Sequence, residues 1–301
     1  MSRRLRLRAP AKINWTLEVL RIRPDGYHEL RSVLQTIDLC DMVTLSESDG
    51  IELVLTGEPG PLADEPAKRN LACRAAEALR SRSGVRGGVL IELEKHIPVA
   101  AGLGGGSSDA AAVLRGCDAL WGAGESEANL AEIAGEIGSD PPFFVFGGTA
   151  SVGGRGEIVR TLPDARAPQI LLATPPAQHR GEKTAEMFDA LTPDDYGEGS
   201  VTAGLEDVVE AGRSVVDEEM NNVFERVIPR LHPETQNAMD ALRAQGLTPH
   251  LAGSGPSFFV LLDPRARHGA EALVDRVRSL GFEPRIVRAL PRDEALRIEE
   301  L

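Results

Sequence analysis

Apolar and polar residues alternate along much of the N-terminal part of the chain, which is the pattern of strands that bury one face. Residues 4–8 and 14–20 predict two strands, and residues 42–46 and 51–55 predict a hairpin around Asp49 and Gly50. A helical repeat predicts a helix over 70–82. The other elements predicted before residue 160 are a strand over 89–93, helices over 107–121 and 127–137, and a strand over 143–152.

A cluster of four prolines between residues 163 and 176 predicts a change of domain near residues 155–165, which gives domains at 1–160 and 161–301. In the second half, the pattern predicts strands over 170–173, 258–262 and 283–287, and helices over 182–191, 203–213, 219–228, 233–245 and 269–280. Strands and helices are mixed without a strict alternation. The expected fold class is therefore α+β.

Composition narrows the classes of protein that fit these elements. Of the 301 residues, 42% are apolar, which is enough for a sizeable core. A formal net charge of −13 argues against nucleic-acid binding, which depends on Lys and Arg matched to phosphates. No apolar run is long enough to span a membrane. The three cysteines are scattered, and Cys73 and Cys117 lie in helix-like runs. We therefore expect a cytoplasmic protein that binds neither nucleic acid nor membrane, with no indication of oligomeric state.

The most informative segment is rich in glycine and lies between the predicted strand 89–93 and the predicted helix 107–121. Glycine allows positive φ and close approach of the backbone to a ligand, and the amides at a helix N-terminus attract anions. Ser107 or Ser108 is expected to cap this helix. The predicted phosphate-binding residues are Pro98, Val99, Ala100, Ala101, Gly102, Leu103, Gly104, Gly105, Gly106, Ser107 and Ser108.

Two common phosphate-binding motifs do not fit this segment. No Gly-Lys-Ser/Thr follows, as a Walker A loop requires. The sixth position counted from Gly102 is Ser107, where a dinucleotide-binding motif has glycine. The alternative is a flexible turn between strand and helix, but four glycines in five positions exceed what such a turn needs.

The run from Pro98 to Ala111, with Gly-Leu-Gly-Gly-Gly-Ser-Ser at its centre, resembles the ATP loop of the GHMP kinase superfamily. This resemblance implies an N-terminal α+β domain, a C-terminal ferredoxin-like domain and an active site between them. It also implies ATP as a substrate, with Mg²⁺ carried by its phosphates. The expected activity is transfer of the terminal phosphate of ATP to an alcohol.

Two further motifs narrow the resemblance. Pro-Ala-Lys-Ile-Asn at 10–14 and Asp-Gly-Tyr-His at 25–28 resemble the GHMP kinases of the non-mevalonate isoprenoid pathway, which phosphorylate the 2-hydroxyl of 4-diphosphocytidyl-2-C-methyl-D-erythritol. The resemblance implies Lys12 as a stabiliser of developing charge and Asp140 as the base. Pro141 stands where the family usually has valine. The alternatives are a surface lysine for Lys12 and a turn or cap residue for Asp140.

The same resemblance implies a set of residues that bind the cytidine-bearing substrate. Tyr27 would stack on the cytosine, and His28 would bind its hydrogen-bonding edge. The alternatives for these two residues are core packing and a turn. Thr184 and Phe188 share one helical face and would complete the base site, although Phe188 could equally be core. The implied substrate-binding residues are Asn14, Tyr27, His28, Thr184 and Phe188.

Asn70 and Lys95 resemble positions that flank the adenine and ribose of ATP; the alternatives are a helix cap for Asn70 and a solvated strand end for Lys95. Residues 252–257 resemble a third superfamily motif, a glycine turn that comes near the phosphate loop. Residues 221–225 match a family segment imperfectly and are assigned no role.

Two other functions stay open at this level. The first is another GHMP kinase of the mevalonate or homoserine type, which would have no use for Tyr27 and His28. The second is a nucleotide sensor without catalysis, against which the presence of both Lys12 and Asp140 argues. A purely structural protein would have no use for an anion-binding loop.

Overall fold

The computed structural model describes residues 3–176, 183–262 and 269–301. The strands, in chain order, are β1 Arg4–Ile22, β2 His28–Ser48, β3 Ile51–Gly57, β4 Gly88–Lys95, β5 Thr149–Gly153, β6 Ile158–Thr161, β7 Ile170–Thr174, β8 Asn221–Asn222, β9 His250–Leu251, β10 Phe258–Leu261, β11 Glu283–Val287 and β12 Ile298–Glu300. The α-helices are α1 Leu71–Ser83, α2 Gly105–Trp121, α3 Glu127–Ile137, α4 Pro141–Phe146, α5 Lys183–Asp189, α6 Ser200–Glu210, α7 Ile228–Leu231, α8 Pro233–Arg243, α9 Gly269–Ser279 and α10 Arg292–Ala295.

The larger sheet has the order β12-β1-β2-β4-β3. In addition, β5 pairs with β2, β6 pairs with β5, and β8 lies parallel to β1. Helices α1 and α2 pack together and α2 contacts β1 and β2, so that a core of aliphatic side chains fills the space between sheet and helices. The first strand is continuous through residues 9–13, where the sequence predicted a break. It pairs with β2 along its whole length and absorbs the irregularity as a bulge at Pro10 and Ala11.

The predicted hairpin of residues 42–46 and 51–55 is wrong. Both segments are strands, but β4 lies between them, antiparallel to β2 and parallel to β3. The start of β4 packs closely against the turn between β2 and β3, because a Cβ atom at Gly88 would lie 2.4 Å from the carbonyl oxygen of Gly50. The short turn after β2 therefore leads to β3, which pairs with β4 and not with β2.

Two other predicted elements are wrong in part. Residues 143–146 belong to helix α4, because Pro141 and Pro142 occupy its first turn, where a missing N–H costs nothing. Only β5 has the predicted strand character. The predicted helix 219–228 is broken into short turns around β8, where Asn222 donates hydrogen bonds to the carbonyls of Leu251 and Gly253. The remaining predicted elements are confirmed, with ends shifted by up to a few residues.

The second sheet is antiparallel, with the order β11-β7-β10-β9. Its strands thus stand in the spatial order fourth, first, third, second, which is the expected ferredoxin-like arrangement. Side chains of α8 and α9 cover one face, among them Met239, Leu242 and Val277. The chain changes sheet between β6 and β7, but β8 and β12 return to the first sheet, so the division at residue 160 stays a prediction.

Within the described ranges, no helix combines the length and the apolar character needed to cross a bilayer. Cys73 and Cys117 are buried free thiols, as expected for small apolar residues of a core. Burial raises the pKa of both thiols.

Candidate active site

A cleft of about 690 Å³ lies between the larger sheet, the start of α2 and helix α5. Every predicted site residue lines this cleft except Ser108, whose side chain is buried. The predicted residues on its wall are Lys12, Asn14, Tyr27, His28, Asn70, Lys95, the loop from Pro98 to Ser107, Asp140, Thr184 and Phe188.

The glycine loop joins β4 to α2 in a backbone form that only glycine tolerates well. Gly102 and Gly104 have φ of 79° and 72°. Gly104 is the N-cap of α2 and has no side chain with which to bond the first amides of the helix. The prediction that Ser107 or Ser108 caps the helix is therefore wrong, because the helix begins two residues earlier. Without a capping side chain, the positive end of the helix faces the cleft as an anion site.

A second glycine turn packs against this loop, as the third motif predicted. A Cβ atom at Gly102 would lie 2.4 Å from the carbonyl oxygen of Ala252, and one at Gly253 would lie 2.5 Å from the carbonyl oxygen of Gly102. The hydroxyls of Thr184 and Ser254 are 3.2 Å apart, so α5 also contacts this turn. Three separate segments thus meet at one end of the cleft.

Lys12 is not a surface lysine. Its side chain is 6% exposed, its Nζ donates to Asn14 Oδ1 at 2.9 Å, and Asn14 Nδ2 donates to Ser32 Oγ. Its backbone amide donates to the carbonyl of Leu103, which ties β1 to the glycine loop. Burial lowers the pKa of Lys12, and attraction to the Asp140 carboxylate opposes that shift.

Asp140 stands at the N-cap of α4, but its carboxylate makes no capping hydrogen bond. Pro141 at the next position and Pro142 have no N–H to offer, and the half-buried carboxylate lines the cleft instead. It faces the Lys12 ammonium closely enough to act on its pKa. A hydroxyl placed between the two groups would meet a cation on one side and a proton acceptor on the other.

An aromatic cluster forms the other part of the cleft wall. The rings of His28 and Phe188 are stacked, with centroids 5.0 Å apart and planes 23° from parallel, and Phe188 meets Phe224 edge-on. Partial burial lowers the pKa of His28, which favours the neutral imidazole, with one donor and one acceptor nitrogen. Tyr27 is 51% exposed at the rim, and the Arg155 guanidinium lies 5.0 Å from its ring centroid.

The chain is similar to known proteins over nearly its whole length. Residues 70–148 match the family of GHMP kinases, N-terminal domain. A protein of Geobacillus thermodenitrificans named 4-diphosphocytidyl-2-C-methyl-D-erythritol kinase is 40% identical over 265 residues, which cover 88% of this chain and 90% of that protein. This chain belongs to the 4-diphosphocytidyl-2-C-methyl-D-erythritol kinase family. A protein of the same name from Bacillus subtilis is 39% identical over 90% of this chain and 94% of that protein.

Solved structures agree with membership of this kinase family. A crystal structure of 4-(cytidine 5'-diphospho)-2C-methyl-D-erythritol kinase superposes with a TM-score of 0.74 at 32% identity, over 95% of this chain and all of the other. A homoserine kinase from Cytophaga hutchinsonii superposes with a TM-score of 0.75 at 19% identity, over 100% of this chain and 97% of the other. The second likeness is one of fold alone, and it supports the GHMP kinase architecture.

The side chains of Asn70 and Lys95 both make hydrogen bonds within the protein. Asn70 is the N-cap of α1, since its Oδ1 accepts from the amide of Ala72 at 2.9 Å, and it also lines the cleft. Lys95 is 1% exposed and donates to the carboxylates of Asp41 and Asp109. The alternative of a solvated strand end for Lys95 is wrong. Burial, opposed by Lys95 and reinforced by Asp41, raises the pKa of Asp109 above its ordinary value.

Several residues that line the cleft or lie buried behind it were not predicted. Asp41 comes from the middle of β2, and no local motif marks it. Asp109 follows the predicted serines directly and could have been included from its place in the first turns of α2. Arg69 and Arg155 line the cleft as cations, although nothing in their sequence neighbourhood indicates a ligand.

Proposed function

We propose that this chain transfers the terminal phosphoryl group of ATP to the 2-hydroxyl of 4-diphosphocytidyl-2-C-methyl-D-erythritol, a step in non-mevalonate isoprenoid precursor biosynthesis. The observation that carries this proposal is the shared cleft. The glycine loop, the Lys12–Asp140 pair and the stacked rings of His28 and Phe188 all line it. An anion site, a reacting centre and an aromatic base site are the three parts that this reaction needs.

In the proposed reaction, the 2-hydroxyl oxygen forms a bond to the γ-phosphorus while the bond from that phosphorus to the β,γ-bridging oxygen breaks, and ADP leaves. Asp140 orients the hydroxyl and accepts its proton, which then passes to solvent. The Lys12 ammonium stabilises negative charge on the transferring group, and this stabilisation is strong because Lys12 is buried. Asn14 holds the ammonium in place through its hydrogen bond.

The nucleotide would lie along the start of α2. Amides of the residues from Gly104 to Ser107 would receive the phosphates, and the wall near Asn70 and the backbone of Lys95 would hold the adenosine. Mg²⁺ supplies neutralisation of phosphate charge when it is bound with ATP. In the described part of the chain, no group of three or more His, Cys, Asp or Glu side chains is arranged to hold a metal ion.

The cytidine would lie at the aromatic cluster. Tyr27 is half-exposed at the rim, where its ring would cover a base, and neutral His28 offers a donor and an acceptor to the edge of that base. Thr184 and Phe188 share one face of α5 toward the cleft. We further propose a cytoplasmic enzyme that binds neither nucleic acid nor membrane.

The test is ADP release measured with a coupled assay across three alcohols: the cytidine-linked methylerythritol, mevalonate and homoserine. We expect turnover with the cytidine compound alone, and a rise in melting temperature on addition of CMP. Turnover with mevalonate or homoserine at a comparable kcat/KM, and no effect of CMP, would instead assign the chain to another GHMP kinase activity. ATP binding without ADP formation from any alcohol would point to a nucleotide sensor.

A further inference from the structure

Asp41, Lys95 and Asp109 form a buried cluster of charges beneath the glycine loop, here called the anchor cluster. Lys95 is 1% exposed, Asp41 0% and Asp109 2%. The Lys95 ammonium donates to Asp41 Oδ2 and, at 2.7 Å, to Asp109 Oδ2. Burial of three ionisable groups is costly unless they are paired, so their side chains are fixed by one another.

The cluster holds both ends of the glycine loop. At the β4 end, Asp41 Oδ1 accepts from the backbone amides of His96 and Ile97, at 2.5 and 2.8 Å. At the α2 end, Asp109 lies in the helix and is bonded to Lys95. Asp41 also lies directly under the helix start, because a Cβ atom at Gly105 would be 3.5 Å from its Oδ2. The glycine loop therefore begins just after residues held by Asp41 and ends in a helix held through Asp109.

Such anchoring matters because glycine-rich backbone has little conformational preference of its own. The loop amides can bind phosphates strongly only if they are already directed at the ligand, since ordering them during binding reduces affinity. The Lys95 ammonium is bonded to carboxylates and 1% exposed, and so it is not available to phosphates. Its effect on the nucleotide has to pass through the backbone.

We infer that the anchor cluster is a positioning device for nucleotide binding: the side chains of Asp41, Lys95 and Asp109 preorganise the loop amides and make no contact with ATP themselves. This inference rests on the proposed function for the identity of the nucleotide. Asp41 and Asp109 are thereby positioning residues, because their side chains fix the residues at the two ends of the loop.

The experiment measures binding of ADP and, separately, of CMP to the whole protein by calorimetry, together with melting temperature. Lys95→Met and Asp109→Ala should weaken ADP binding about tenfold, because the amides of a released loop have to be ordered at each binding event. CMP binding should stay unchanged. Asp109→Asn keeps an oxygen that accepts from Lys95 and should restore ADP affinity to within about threefold of the wild type.

A matched control distinguishes positioning from general destabilisation. Glu206 is buried and bonded to Arg31, Arg160 and Ser151, but none of these residues lines the cleft. Glu206→Gln should lower the melting temperature and leave both nucleotide affinities unchanged. Steady-state kinetics should agree, with a raised KM for ATP and an unchanged KM for the cytidine substrate in Asp109→Ala.

Two results would overturn the inference. One is equal ADP affinity in wild type, Lys95→Met and Asp109→Ala. The other is a parallel loss of ADP and CMP binding that follows the fall in melting temperature, as in a protein that is merely less stable. If Lys95→Met does not fold, the comparison of Asp109→Ala with Asp109→Asn decides. Failure of the wild type to bind ADP at all would instead contradict the proposed function.

Discussion

Gly253 lies against the ammonium of Lys12: a Cβ atom at Gly253 would be 2.6 Å from Lys12 Nζ. The same Cβ atom would be 2.5 Å from the carbonyl oxygen of Gly102. The turn at Gly253, the glycine loop and the strand that carries Lys12 therefore approach one another to a distance that excludes any side chain. The position of the ammonium depends on all three.

The first prediction concerns this contact. We expect Gly253→Ala to lower kcat at least about tenfold, since the added methyl group must displace either the Lys12 ammonium or the loop backbone. Gly246→Ala is the matched control, because Gly246 also has positive φ but has open space where a Cβ atom would stand. Both changes should cost about 1–2 kcal/mol of stability from backbone strain. Equal activity in the two variants would contradict the expected role of the contact.

The second prediction is that Lys12→Met strongly reduces turnover without lowering stability. A buried ammonium costs free energy, and methionine fills a similar volume without charge. We expect kcat to fall by about 10²-fold or more, while the melting temperature stays the same or rises. A fall of several degrees in calorimetry would show that Lys12 stabilises the fold and is not retained for function alone.

The third prediction is an alkaline limb in the activity profile. Because burial lowers the pKa of Lys12, the ammonium loses its proton at a pH below the ordinary lysine value of about 10.4. Activity should therefore fall as pH rises through that lowered pKa. The effect on stability has the opposite sign, since folding penalises the charged form and this penalty disappears at high pH. A kcat that stays constant up to the ordinary lysine pKa would contradict this.

The fourth prediction concerns the proposed base. Asp140→Asn should lower kcat by about 10²- to 10⁴-fold. Calorimetric affinities for ADP and CMP should stay within about threefold of the wild type, because asparagine has nearly the same shape and Asp140 holds no capping hydrogen bond. Full turnover in this variant would exclude Asp140 as the base.

The fifth prediction separates the base site from the phosphate site. Phe188→Leu keeps apolar packing against Phe224 but removes the stacked ring, so KM for the cytidine substrate should rise by about 5- to 150-fold, equivalent to about 1–3 kcal/mol. KM for ATP should not change. Phe282→Leu is the control, because Phe282 packs edge-on against Phe258 in the core between the second sheet and helices α8 and α9, and its replacement should affect stability alone.

Local signals in the sequence were sufficient for much of the fold and the candidate site. The glycine loop was predicted because a ligand-binding turn before a helix is encoded within about a dozen consecutive residues. Helix α3 was predicted at its observed ends, since Ser126 caps its first turn and Gly138 follows its last. Such features need no information from distant parts of the chain.

The predictions that are wrong or missing concern features that depend on contacts with distant parts of the chain. Residues 42–46 and 51–55 form strands as predicted, but their partner β4 is supplied from beyond helix α1. Phe143 and Phe144 are residues typical of a strand. The two prolines before them and the buried environment of α4 nevertheless favour a helix. Asp41 gains its importance from Lys95, 54 residues away, and nothing adjacent to it indicates that contact.

The edge of β1 that faces away from β2 pairs with segments that come much later in the chain: Asn221 and Asn222 of β8 and Ile298–Glu300 of β12. Single backbone hydrogen bonds to Leu103 and Gly197 add to this pairing. Residues around Thr16 leave the ribosome about 200 residues before Asn221, their neighbour in the sheet. At about 5–20 residues per second, that interval is about 10–40 s. In a nascent chain, this part of the strand edge thus lacks its native partners for most of the synthesis, and unpaired edges of this kind tend to pair with other strands.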